Sequence, residues 1–210
     1  MKYYDIHTHQ QPSETDVMAI VNTIVRDGVE PNSSRYCSYG IHPWYIYNIK
    51  EQMMELEKYA VLPNTMAIGE AGLDKMIDQE FSIQQDVFLK QANLAEKVQK
   101  PLIIHCVKAW AELLAAQKVI NPYMPWIIHG FRGKPELAEQ LIEHGFYLSF
   151  GQNFNSESLR LAWPAHFLAE TDDKEIKITE VYAHIVDVLQ LPIDVVASKL
   201  AENSRKLFAL

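Results

Sequence analysis

Five short apolar runs in this chain end in side chains able to bind a metal: His7 and His9, then Glu70, His105, His129 and Asp172. From residue 65 onward such runs alternate with stretches of helical periodicity. Strands are expected at 65–69, 101–105, 125–129, 146–150 and 166–172, and helices at 81–99, 109–119 and 134–144. In the longest helix Phe81, Val87, Phe88, Leu94, Ala95 and Val98 fall on one face. The helix before Gly145 stops at that glycine. This alternation predicts βα units and a parallel sheet. Several runs are apolar almost throughout, as strands covered on both faces are.

Ahead of residue 65, strands are expected at 3–9, 19–25 and 36–41, and a helix at 50–59. Gln10-Gln11-Pro12-Ser13 breaks the first strand, and Pro43 prevents further ladder pairing after the third. The gaps between these three strands leave little room for full helices. Helices at 178–190 and 193–208 close the chain, with Pro192 opening the second. The expected fold class is therefore α/β: one (β/α)8 TIM-type barrel domain over residues 1–210, trimmed in its N-terminal quarter.

A parallel barrel gathers the C-terminal ends of its strands on one face, where active sites form. His7 and His9 share strand parity and project from the same side. A lone histidine ending a strand is usually structural. Six such side chains on five strand ends form a pattern that points to bound metal. The donors are all nitrogen and oxygen. Imidazoles suit zinc, nickel or iron, and carboxylates admit manganese and magnesium. Cys37 and Cys106 sit in apolar runs and read as reduced, buried thiols. Cys106 follows His105 and should face away from it.

The net charge of −8 disfavours a broad electrostatic grip on nucleic acid. It leaves room for a local site where metal ions neutralise a phosphate. No apolar run reaches the roughly 18 residues of a membrane span. The first residues, Met1-Lys2-Tyr3-Tyr4-Asp5, carry no signal-peptide apolar region. The expectation is a cytoplasmic protein without a membrane partner.

Six segments, in order, resemble the successive motifs of TatD-like metal-dependent hydrolases, which are amidohydrolase-type barrels. They are Asp5-Ile6-His7-Thr8-His9, Gly40-Ile41-His42-Pro43-Trp44, Gly69-Glu70-Ala71-Gly72-Leu73-Asp74, Pro101-Leu102-Ile103-Ile104-His105-Cys106, His129-Gly130-Phe131-Arg132-Gly133 and Glu170-Thr171-Asp172. The segment Glu202-Asn203-Ser204-Arg205-Lys206-Leu207-Phe208 resembles that family's closing helix. The resemblance implies two divalent metal ions, Mg, Mn, Zn or Ni. His7, His9 and Asp172 would hold one, His105 and His129 the other, and Glu70 would bridge them. A bridging carboxylate suits ions about 3.5–4 Å apart, the spacing of two-metal hydrolases. Glu70 and Asp172 would be the catalytic carboxylates, with Asp172 also taking the proton of the attacking water.

Around these ligands His42, Lys108 and Arg132 are candidates to bind a substrate phosphate. His42 has packing beside Trp44 as its alternative role, and the two cations have plain solvation. Glu170 shares strand parity with Asp172 and either orients a ligand histidine or packs in a salt bridge. Asp74 orients its loop or meets substrate, and His144, His166 and His184 read as structural. The implied activity is a TatD-like deoxyribonuclease acting exonucleolytically on a DNA end. The alternative is hydrolysis of an amide, ester or lactone in a small metabolite. Two departures from the family pattern affect the rim: Asp173-Lys174-Glu175-Ile176-Lys177 lacks proline, and Val107-Lys108 stands where the family often has arginine.

Overall fold

The computed structural model describes residues 2–12 and 14–210. Ser13, the end of the expected break after the first strand, and Met1 lie outside them. Eight strands form one sheet in sequential order: β1 (Tyr3–Thr8), β2 (Val17–Ile24), β3 (Cys37–Gly40), β4 (Thr65–Asp74), β5 (Leu102–Val107), β6 (Trp126–Ile128), β7 (Tyr147–Phe150) and β8 (Phe167–Ala169). Seven α-helices are described: α1 (Ile49–Ala60), α2 (Phe81–Val98), α3 (Trp110–Ile120), α4 (Pro135–Glu143), α5 (Ser156–Ala162), α6 (Ile178–Leu189) and α7 (Ile193–Phe208). The ladders β1–β2, β3–β4, β4–β5, β6–β7 and β7–β8 are parallel. This is the (β/α)8 TIM-type fold. Among the described residues no helix lies between β1 and β2 or between β2 and β3, and this is the trimmed quarter.

Contacts divide the chain into two compact units, Met1–Val21 with Ile127–Leu210, and Asn22–Trp126. In the first unit the core is built on fully buried Ile6, Leu148, Phe150, Phe167 and Leu168. The Tyr182 hydroxyl of α6 accepts the Tyr4 N–H at 2.9 Å and donates to the Tyr4 carbonyl at 3.2 Å, fixing α6 on β1. The Asn203 amide of α7 donates to the Pro164 and Phe167 carbonyls at 3.0 and 2.9 Å. Beyond β8 the chain is stitched to β1. Asp172 N–H donates to the His7 carbonyl at 2.9 Å, and His9 N–H donates to the Asp172 carbonyl at 3.1 Å.

In the second unit β4 runs on to Asp74, five residues past its expected end at Gly69. Pairing with β5 continues through Ala71↔Ile104, Gly72↔His105, Leu73↔Cys106 and Asp74↔Val107. Gly72 permits this continuation. A Cβ there would stand 2.0 Å from the His105 carbonyl oxygen, so only glycine lets the two strands approach. Helix α2 sends two buried glutamines to the sheet. Gln91 accepts from Ile41 N–H at 2.7 Å and donates to the Ile41 carbonyl at 3.0 Å. Gln84 clamps Asp74 in the same way, at 2.8 and 3.0 Å. Both clamps hold strand ends that carry polar side chains.

Helix α5 is absent from the sequence expectation. Its signal is Asn155, whose side-chain oxygen accepts the N–H groups of Glu157 and Ser158 at 3.0 Å. Among the described residues no single helix is long and apolar enough to cross a membrane.

Candidate metal sites

The first unit brings together His7, His9, His129, Glu170 and Asp172. His7 is fully buried in β1 and His9 is exposed just beyond it. Their Nε2 atoms lie 3.6 and 3.7 Å from the same oxygen, Asp172 Oδ1. One donor atom each from His7, His9 and Asp172 falls within 4.8 Å of the others. Asp172 holds a left-handed backbone, φ 57°, which turns its side chain while its main chain pairs with β1. Directly after β6, His129 stacks at a tilt on His7, with ring centroids 4.5 Å apart. On its far side His129 Nδ1 is 3.4 Å from Glu170 Oε1, and that oxygen also accepts the Gly130 N–H at 2.7 Å. A carboxylate behind Nδ1 leaves Nε2 as the ligand atom, the usual support of a metal-binding histidine. Glu170 therefore stands where the orienting role was expected. His129, His7, His9 and Asp172 all belong to this unit.

The second unit brings together His42, Glu70, His105 and Asp74. Glu70 Oε1 lies 3.0 Å from His105 Nδ1 and 3.1 Å from His42 Nε2. These three residues also offer donors within 4.8 Å of one another. His105 is held from both sides, because its Nε2 is 3.4 Å from Asp74 Oδ2. Asp74 plays the part for His105 that Glu170 plays for His129. His42 differs, since its Nδ1 accepts the Trp44 N–H at 3.1 Å. A neutral imidazole that accepts at Nδ1 carries its proton on Nε2. His42 is thus a donor toward Glu70 in this arrangement, not a ligand. Glu70 itself stands inside β4, not at a strand end, where the β4–β5 register shifts between Ile68 and Ala71.

The donor sets fit divalent metal ions. Each is a mixture of imidazole and carboxylate from different strands, and two of the histidines carry a carboxylate on the opposite nitrogen. Lys108, with φ 54°, and Arg132 are exposed on the loops after β5 and β6, as expected. His144 is exposed, with Nδ1 2.8 Å from the Gln140 carbonyl oxygen, and His184 stacks on Phe154 at 4.4 Å. His166 Nδ1 is 2.9 Å from the Phe146 carbonyl.

Two supporting residues escape sequence reasoning. Asn22, in β2, accepts the Glu70 N–H at 2.9 Å and the Ser38 hydroxyl at 3.1 Å, and its Nδ2 lies 3.5 Å from Glu70 Oε2. Its signal is one amide inside a β-branched run. Asp5 accepts the N–H and hydroxyl of Thr171 at 3.1 and 2.6 Å. Burial pushes the Asp5 carboxyl up to about 7, against the lowering by the two Thr171 bonds. Burial raises Asp74 too, but the bonds from Trp44, Met76 and His105 outweigh it, and its carboxyl stays below its ordinary value. Burial pushes the Cys106 thiol up to about 12, so it offers no thiolate ligand near neutrality.

The sequential parallel sheet and its histidine–carboxylate clusters define a (β/α)8 protein of the metal-binding kind. The family model described as TatD related DNase matches residues 23–209, and the chain belongs to that family. It is similar to the uncharacterized metal-dependent hydrolase YabD of Bacillus subtilis, at 26% identity over 83% of this chain and 78% of YabD. A relative from Buchnera aphidicola subsp. Baizongia pistaciae with the same description, uncharacterized metal-dependent hydrolase, is 27% identical. That match covers 70% of this chain but 58% of the relative, less than two thirds of its length. In fold, the chain resembles the crystal structure of YjjV, a TatD homolog from Escherichia coli K12. The TM-score is 0.81 at 20% identity, covering 99% of this chain and 98% of that one.

Proposed function

We propose that the chain is a metal-dependent hydrolase of phosphodiesters, a deoxyribonuclease working from a DNA end. The observation that carries the hydrolase reading is the carboxylate of Asp74 behind His105 Nε2, repeated by Glu170 behind His129 Nδ1. Such carboxylate-backed imidazoles are built to present a fixed nitrogen to a metal. His7, His9 and Asp172 would hold one ion, Glu70 and His105 would hold a second, and His129 is a further ligand. Divalent ions bound there would act as Lewis acids on a scissile phosphate and lower the pKa of an attacking water.

The chain's own residues supply the rest. Asp172, whose side chain is partly exposed, is the base that takes the proton of the water. His42 donates toward Glu70 and keeps that carboxylate aligned. Lys108 and Arg132 neutralise non-bridging phosphate oxygens from their loops. The phosphodiester part of the reading is supported by these two cations and by the family's description as related to a DNase. The test is hydrolysis of an end-labelled single-stranded oligonucleotide with added manganese or magnesium. Stepwise shortening from one end is expected. No cleavage, alongside turnover of an ester or lactone, would replace this reading with hydrolysis of a small metabolite.

A further inference from the structure

The chain leaves a large aromatic ring in solvent beside the second cluster. Trp44 is 56% exposed, yet its indole is held in place. Its Nε1 donates to Asp74 Oδ2 at 2.8 Å, and its backbone N–H donates to His42 Nδ1 at 3.1 Å. Asp74 is in turn buried and fixed, with Met76 N–H on Oδ1 at 2.8 Å and the Gln84 clamp on its main chain. The ring meets His42 and His105 edge-on, with centroids 5.0 and 6.0 Å away and planes at 85° and 79°. Tyr45, with Arg26 over its ring at 5.4 Å, lies 5.9 Å from the His42 ring.

Singly exposed aromatics are common and need no explanation. Tyr123 and Val119 stand further out than Trp44. Trp44 differs in being fixed by the same carboxylate that orients His105. More than half of the residue is exposed, so ring surface remains open to solvent. An immobilised indole face beside a candidate metal cluster has the form of a base-stacking platform, because every nucleobase has a flat π-face.

We propose that the open face of Trp44 is a stacking subsite for a nucleobase of the substrate whose phosphate lies at the ion that Glu70 and His105 would hold. This deepens the phosphodiesterase reading and rests on it for the placement of the phosphate. It makes the preferred substrate a nucleotide strand with an unpaired base, because a base still paired and stacked in a duplex has no free face to offer.

The metal-loaded protein is titrated with deoxyadenosine 5′-monophosphate and, separately, with 2-deoxyribose 5-phosphate, which carries the same phosphate without a base. The nucleotide should bind about tenfold tighter or more, with quenching of tryptophan fluorescence. Trp44→Leu should abolish that preference and the quenching, with metal content unchanged by elemental analysis. Trp44→Phe should restore part of it. Equal affinities in the wild-type protein, or a preference that survives in Trp44→Leu, would overturn the subsite. A Trp44-dependent preference in a protein that cleaves no oligonucleotide would keep the subsite and sink the nuclease reading. Cleavage without any preference would do the reverse.

Discussion

Asp172 meets His7 twice, its backbone N–H donating to the His7 carbonyl at 2.9 Å and its carboxylate lying 3.6 Å from the His7 imidazole. The main-chain bond fixes where the carboxylate starts, and the left-handed turn at Asp172 fixes where it points. Neither group needs the metal to find the other, so the cluster is prepared before an ion arrives. Preorganisation of this kind lowers the ordering cost of binding.

Replacing His7 and His9 together with alanine should remove this cluster's ion. Metal per chain, measured by elemental analysis after dialysis, should fall by one equivalent against the wild-type protein. His9→Ala alone removes an exposed side chain whose ring lies 5.2 Å from the His7 ring. It should weaken binding at least tenfold while leaving thermal stability of the metal-free protein unchanged.

Asn22→Ala leaves the Glu70 N–H buried without its acceptor. An unpaired buried donor costs about 1–3 kcal/mol, which urea denaturation of the metal-free protein will read. The same change frees Glu70, and loss of such outer support lowers metal affinity about 10–100-fold. Full affinity in this variant would show that Glu70 needs no help from β2.

Gly72→Ala forces a methyl carbon into the His105 backbone. Overpacking of this kind costs about 1–3 kcal/mol, and backbone on backbone has little room to yield. The denaturation midpoint should drop, and metal should be lost with it because the added carbon sits 2.7 Å from the His105 Cβ. An alanine variant as stable as the parent would mean that β4 and β5 are not this close.

Asp5 predicts a pH dependence of definite sign. The folded chain keeps the Asp5 proton up to about pH 7, whereas the unfolded chain releases it near 3.8. Between these values the native state binds more protons, so its stability falls as pH rises. Asp5→Asn can accept from Thr171 N–H and has nothing to ionise. Its melting temperature should gain on the wild-type protein steadily from pH 4 to 7 and keep a constant lead above that. A lead independent of pH would remove the titration.

The alternation of strand and helix was legible because parallel strands buried on both faces must be apolar, and helices between them must carry a 3.6-residue stripe. The pairing of His7 with His9 was legible from parity alone. Glu70 was found for a partly wrong reason. The strand was expected to end at Gly69, while Gly72 lets β4 continue beside β5. Asn22 and Asp5 stayed hidden because each is a single polar residue in a strand, whose partner, Glu70 or Thr171, is 48 or 166 positions away. Local pattern carries no record of such pairings. The tautomer of His42 was equally out of reach, because it depends on one backbone N–H folded back by Pro43 and Trp44.

The stitch between β1 and the stretch after β8 also orders events in time. Asp172 stands 164 residues after Thr8. At roughly 5–20 residues per second, a nascent chain waits roughly ten to thirty seconds between making the two. His7 and His9 leave the ribosome that long before their carboxylate partner does. The two histidines therefore lack the third donor of their cluster until Asp172 has been made, and a chain cut short before it carries only part of that cluster.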